Sequence, residues 1–144
     1  NLNLAKGYSL AQAAAYLEQT EVTRHSAVLS EKFGDICAAQ GKPTSTVQAY
    51  EQALKLDPTR LQRVRLHRKL GERFANSGQE GQAYEQFGEI LQEWPDYPGA
   101  LNVYQILQFL AQKLGKTEDA TKWENLIKLL TPPPPTNAPA PAKP

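Results

Sequence analysis

Arg65, Arg68 and Lys69 recur at helical spacing and share one helix face. Three cations so placed are a candidate site for an acidic peptide. The stretch that follows, residues 79 to 96, carries five acids and no Lys or Arg. The same bases could therefore be neutralised inside the molecule, and both readings stand. Covalent chemistry has less to build on. The chain holds two histidines, His25 and His67, and one cysteine, Cys37. A nucleophile needs a base within hydrogen-bond reach, and a metal needs a cluster of ligands. No HExxH, paired CxxC, GxSxG, Walker loop or GxGxxG occurs. Gly78-x-x-Gly81 fits a turn between helices better than a phosphate cradle. The expectation is a chain without catalysis, metal or cofactor.

The elements that would position these side chains are all helical. Residues 9 to 19 are Ala-rich, with Leu10, Ala13, Ala14 and Leu17 at helical spacing. Further helices are expected over about 25–40, 43–57, 61–76, 80–93, 99–114 and 117–130. Gly41, Gly78 and Gly115 stand where left-handed stops belong, and Pro58, Pro95 and Pro132 close the alternate helices. No segment shows the period-2 alternation of a strand. From Thr131 onward, seven prolines in 14 residues make an extended, solvated tail the expectation for 131–144.

Composition bounds the partners. With 144 residues, 40% of them apolar and 22% charged, the chain can bury the core of one ordinary domain. A net charge of +1 gives no global pull toward nucleic acid or anionic lipid. Nucleic-acid binding by the Arg65 helix is a disfavoured rival. The densest apolar run, Leu101 to Leu110, is broken by Asn102, Gln105 and Gln108, so no membrane contact is expected within this segment. A single cysteine excludes an intrachain disulfide and leaves the compartment undecided. The chain lacks Met and opens inside what reads as a helix. A piece of a longer protein, such as a membrane-anchored bacterial envelope protein, is therefore a rival reading.

The glycines 41, 78 and 115 lie 37 residues apart, as do the prolines 58, 95 and 132. Phe33, Leu70 and Leu107, Gly34 and Gly71, and Tyr50 and Phe87 keep the same phase. Such a period is the mark of stacked units that bury their apolar faces on one another. The middle unit, His67-x-x-Leu70-Gly71-x-x-Phe74, Ala83-x-x-x-Phe87 and Pro95, resembles the tetratricopeptide repeat. The first unit reads Ser30-x-x-Phe33-Gly34-x-x-Cys37, Thr46-x-x-x-Tyr50 and Pro58, and the third is worn. Tyr16, 34 residues before Tyr50, suggests a preceding half repeat. The period departs from the family's by three residues, which are expected to widen the turns at Thr59–Leu61 and Asp96–Pro98.

The resemblance implies an all-α fold of helix-turn-helix repeats stacked as a right-handed α-solenoid. Its half repeat would cover about 7–22 and its full repeats about 27–60, 64–97 and 101–132. It also implies a non-catalytic scaffold that holds a peptide or partner helix against the first helix of each pair. The groove residues would be Val28, Glu31, Asp35, Ala38 and Ala39, then Arg65, Arg68, Lys69, Glu72, Ala75 and Asn76. The third unit would supply Asn102, Gln105, Phe109, Gln112 and Lys113. The subgroup that clamps a C-terminal carboxylate uses Lys and Asn where this chain has Glu31 and Asp35, so that activity is disfavoured. Phe109 lies off the Tyr104, Leu107, Ala111 and Leu114 stripe, as a binding contact or a covered surface. The stripe Trp123, Leu126, Ile127, Leu129 and Leu130 is wide enough to raise self-association through the 123–130 end.

Overall fold

The computed structural model describes residues 9–15 and 26–133. Those residues form helices and no strand: α1 over 9–15, α2 Ala27–Ala39, α3 Pro43–Lys55, α4 Arg60–Asn76, α5 Glu80–Glu93, α6 Ala100–Lys113 and α7 Thr117–Leu130. The remainder of the expected half repeat and the tail from 134 lie outside the described residues, as does His25. The chain divides into two compact units at Tyr97 and Pro98. The first holds the hairpins α2–α3 and α4–α5, and the second holds α6–α7. α1 packs on α2 through Ala14 and Ile36, with Ala13, Leu29 and Phe33 around them.

Each hairpin turns on the same device. Gly41, Gly78 and Gly115 take φ of 70°, 74° and 72°, a left-handed conformation that side chains with a Cβ resist. The residue after each glycine donates its amide N–H back to Cys37, Phe74 or Ala111, closing the last turn of the first helix. The N-termini are less uniform. Ser26 and Thr59 cap α2 and α4 by accepting from the amides of Leu29 and Gln62, whereas α3 opens with Pro43 in its first turn.

Close approach in the first unit depends on glycine meeting an aromatic ring. A Cβ on Gly34 would sit 2.5 Å from the Tyr50 ring, and one on Gly71 would sit 2.6 Å from Phe87. Ala53, Leu66, Leu70, Ala83 and Ile90 are buried completely in the same core. The second unit holds Gln108 and Glu124 at the equivalent positions and uses a different lock. There Tyr104 stacks on Trp123 at 5.6 Å, over buried Val103, Leu107 and Ala120.

The added residues of the period fall partly outside the expected turn. α4 has 17 residues where α2 has 13, so the chain around Thr59–Leu61 becomes an extra helical turn capped by Thr59. The later addition does lie in a connection, residues 94–99. Its Trp94 packs against Tyr97 at 5.3 Å and lies under the Arg60 guanidinium at 4.0 Å.

The glycines separate packing from propensity. Gly71→Ala should destabilise by about 1–3 kcal/mol, because the Phe87 ring must move. Gly88→Ala, in α5 with nothing within 4 Å of its new Cβ, should stabilise by about 0.5–1 kcal/mol. Urea unfolding of both variants measures the contrast, and equal effects would refute it.

Candidate functional site

The acids and bases singled out in the sequence meet between α2 and α4. Glu31, buried on α2, accepts four hydrogen bonds from α4. Arg65 grips it with two, Nε to Oε2 and Nη2 to Oε1, both at 2.7 Å. Lys69 Nζ donates to Oε2 at 2.9 Å, and Gln62 Nε2 donates to Oε1 at 3.2 Å. Asp35, one turn along α2, accepts from Lys69 at 2.9 Å and from the Tyr50 hydroxyl at 2.6 Å. The Lys69 ammonium also lies 5.6 Å from the centre of the Tyr50 ring.

This arrangement follows from helix geometry. Glu31 and Asp35 are one turn apart on α2, and Arg65 and Lys69 are one turn apart on α4. Both close pairs, Glu31 with Arg65 and Asp35 with Lys69, span 34 residues, so the helices run parallel and in register. The bidentate fork is the strongest form of such a contact.

Charge and burial set the proton affinities. Burial alone would raise the Glu31 carboxyl, but the hydrogen bonds from Arg65 and Lys69 outweigh it and hold it at about 2 rather than 4.5. Burial first, then the bond to Asp35, pushes the Tyr50 phenol up. The Glu31 hydrogen bonds raise Arg65.

Two sequence expectations change here. Arg65 and Lys69 are not open cations awaiting an acidic peptide, since both are spent on α2. Their neutralising partners are also not the acids of 79–96, of which Glu93 meets only Arg63, at 4.0 Å. The positions of a carboxylate clamp are filled by a closed ion cluster. Gln62 and Tyr50 lie outside the expected site: Tyr50 stands at a packing position of the repeat, and Gln62 carries no charge to mark it. The available signal was the matched doublets, acid-acid and base-base at one spacing.

The other expected residues are more open. Arg68 is half-buried, while Glu72 and Asn76 are exposed on α4. In the second unit Asn102, Gln105, Phe109 and Lys113 are exposed on α6, with Lys113 Nζ 5.2 Å from the Phe109 ring centre. His67 and Cys37 are buried, and His67 Nδ1 meets Gln86 Oε1 at 2.9 Å. Among the described residues, no group of three or more His, Cys, Asp or Glu could hold a metal ion. No described helix is long and apolar enough to cross a membrane.

The low Glu31 affinity has a pH signature. A carboxylate held below its unfolded value adds stability above about pH 4.5, and that stability is lost as the pH falls toward 2. The contribution should be about 3 kcal/mol. Glu31→Gln should flatten that part of the profile in urea titrations between pH 5 and pH 2. An unchanged slope would show that Glu31 is not the titrating group.

No family model matches the chain, and no curated protein matches it. Solved structures do resemble it. A crystal structure of MamA, a protein with tetratricopeptide repeats, is 19% identical with a TM-score of 0.61, over 74% of this chain and 58% of that one. A second MamA crystal structure is 19% identical with a TM-score of 0.62, over 88% of this chain and 70% of that one. The chain thus spans little more than half the length of the first of these neighbours. At this identity the likeness is one of fold, and that fold is the all-α helical repeat solenoid.

Proposed function

We propose that the chain is a non-catalytic protein-interaction module with three full tetratricopeptide repeats behind a half repeat. Its partner, a peptide or a helix, would lie on the first helices of the pairs. The observation that carries this reading is Phe109. In the 37-residue frame its position is held by Asp35 and Glu72 in the earlier units, yet here it is an aromatic ring with 57% exposure. Exposed rings on otherwise polar faces are favoured contact points between proteins. The buried state of His67 and Cys37 supports the non-catalytic part.

Affinity capture with the full chain, followed by hydrogen exchange on the complex, tests this. Slowed amides should appear in α2, α4 and α6, and Phe109→Ala should weaken capture by at least about tenfold without changing the melting curve. Protection confined to α3, α5 and α7 would overturn the reading.

Self-association is a second reading, favoured by α7. Leu126 and Leu129 occupy frame positions that hold Gln52 and Lys55 in α3, and Glu89 and Gln92 in α5. Leu129 is 80% exposed. Light scattering should give a mass that rises with concentration above 16.0 kDa, and Leu129→Glu should return it to the monomer. A monomer at every concentration removes this reading.

A further inference from the structure

The ion pairs between α2 and α4 form a ladder that stops one rung short. Arg65, Lys69 and Arg73 follow one another at intervals of one turn along α4. Arg65 meets Glu31 and Lys69 meets Asp35, each 34 residues earlier. The same interval sets Arg73 against Ala39, the last residue of α2, whose methyl group accepts nothing. Asp35, the nearest acid along the row, is already spent on Lys69 and on the Tyr50 hydroxyl. Among the described residues of α4, Arg63, Arg65 and Lys69 are held in ion pairs and Arg73 is not.

In place of an acid, Arg73 meets an open cavity of about 290 Å³ where the last turn of α4 passes the first turns of α3. Phe74, Val47 and Pro43 give the cavity apolar wall, and Gln48, Asn76 and Gln79 bring carboxamides to it. Among the described residues no acid lines it, and Arg73 is its one charge. Lys42, Glu51, Glu72 and Glu80 are the charged residues closest to the lining along the chain, and none of them belongs to it. A guanidinium with no acid of its own matches a carboxylate, which it grips through two parallel N–H donors. An inorganic anion would leave the apolar wall wet, and a neutral apolar molecule would leave the guanidinium without an acid. Small-molecule pockets run from about 300 to 1,000 Å³, so a cavity at the bottom of that range suits one short acid rather than a peptide segment.

We propose that this cavity binds a small organic monocarboxylate, with its carboxylate on the Arg73 guanidinium and its apolar body against Phe74 and Val47. The bound acid supplies what Ala39 does not, a third carboxylate for the row that Glu31 and Asp35 begin. Of the lining residues, Asn76 alone belongs to the partner surface expected from the sequence. The site and the protein-binding reading above therefore stand or fall separately.

NMR titration of the isotope-labelled full chain tests the proposal, with a panel of short acids such as phenylacetate and benzoate, each run beside its neutral amide. Inorganic phosphate serves as the control anion. At least one acid should shift the amides of residues 44–48 and 73–79 saturably. Its Kd should be on the order of 1 mM, as fits so few atoms, and at least about tenfold below that of its amide. Arg73→Gln should remove that preference in a chain that circular dichroism shows to be folded, since Arg73 holds no ion pair. Ala39→Glu offers Arg73 an acid from α2 itself and should weaken acid binding at least about tenfold. Ala39→Gln, equal in size and neutral, should not. Acids that bind no tighter than their amides, or that shift only amides elsewhere, would overturn the proposal. So would affinity that survives Arg73→Gln or ignores Ala39→Glu. Phosphate that binds as tightly as the best acid would overturn it too, and would reduce Arg73 to a surface cation.

Discussion

A carboxylate withdrawn from water must be given enough hydrogen bonds to replace it, and Glu31 sets that requirement for the first unit. Removing an ion of that size from solvent costs several kcal/mol. The cost is met only because Arg65, Lys69 and Gln62 all arrive from a single helix, α4, in the register that α2 demands. A slip of α4 by one residue would turn Arg65 about 100° around its axis and leave Glu31 buried and unpaired. Apolar contact between the α2–α3 and α4–α5 hairpins is non-directional. The ion cluster is directional, so it fixes the register that the apolar surfaces leave loose.

Within each hairpin the same positions meet by different chemistry. Ser30 donates its hydroxyl to the Ala49 carbonyl, His67 pairs with Gln86, and Tyr104 stacks on Trp123. These are one contact in the 37-residue frame. The backbone geometry of a helical hairpin brings the two positions together, and any pair that satisfies its polar atoms or fills the volume will do. The glycine and ring lock is less interchangeable. Where Gly34 and Gly71 are replaced by Gln108, the ring across from it is replaced too, by Glu124. The small residue and the large one depart together, as close packing requires.

This explains what could be read from the chain. Helix limits were legible because glycines at φ near 70° and prolines punctuate them, and these effects are local to a few residues. The buried roles of His67 and Cys37 were legible through their phase. The extra turn of α4 was not, since Thr59 can cap a helix as well as sit in a wide loop. The ion cluster was missed for a related reason. The acids that follow α4 along the chain balance its charge by composition, whereas the partners lie 34 residues earlier. Within the first compact unit the first helix of one hairpin meets the first helix of the next, so the partners lie a repeat apart in sequence.

That geometry also bears on how such a surface changes its partner. A face with unpaired cations would attract acidic segments of many kinds and lose discrimination as salt falls. Here Arg65 and Lys69 are already paired with Glu31 and Asp35, so on the interaction-module reading a partner would not have to strip water from those two charges. On the interaction-module reading, discrimination among partners would fall to exposed apolar side chains such as Phe109. Changing Phe109 would alter that contact while leaving the Glu31 cluster intact. Changing Arg65 would strike the cluster itself. On that reading, stability and recognition would be divided between different residues.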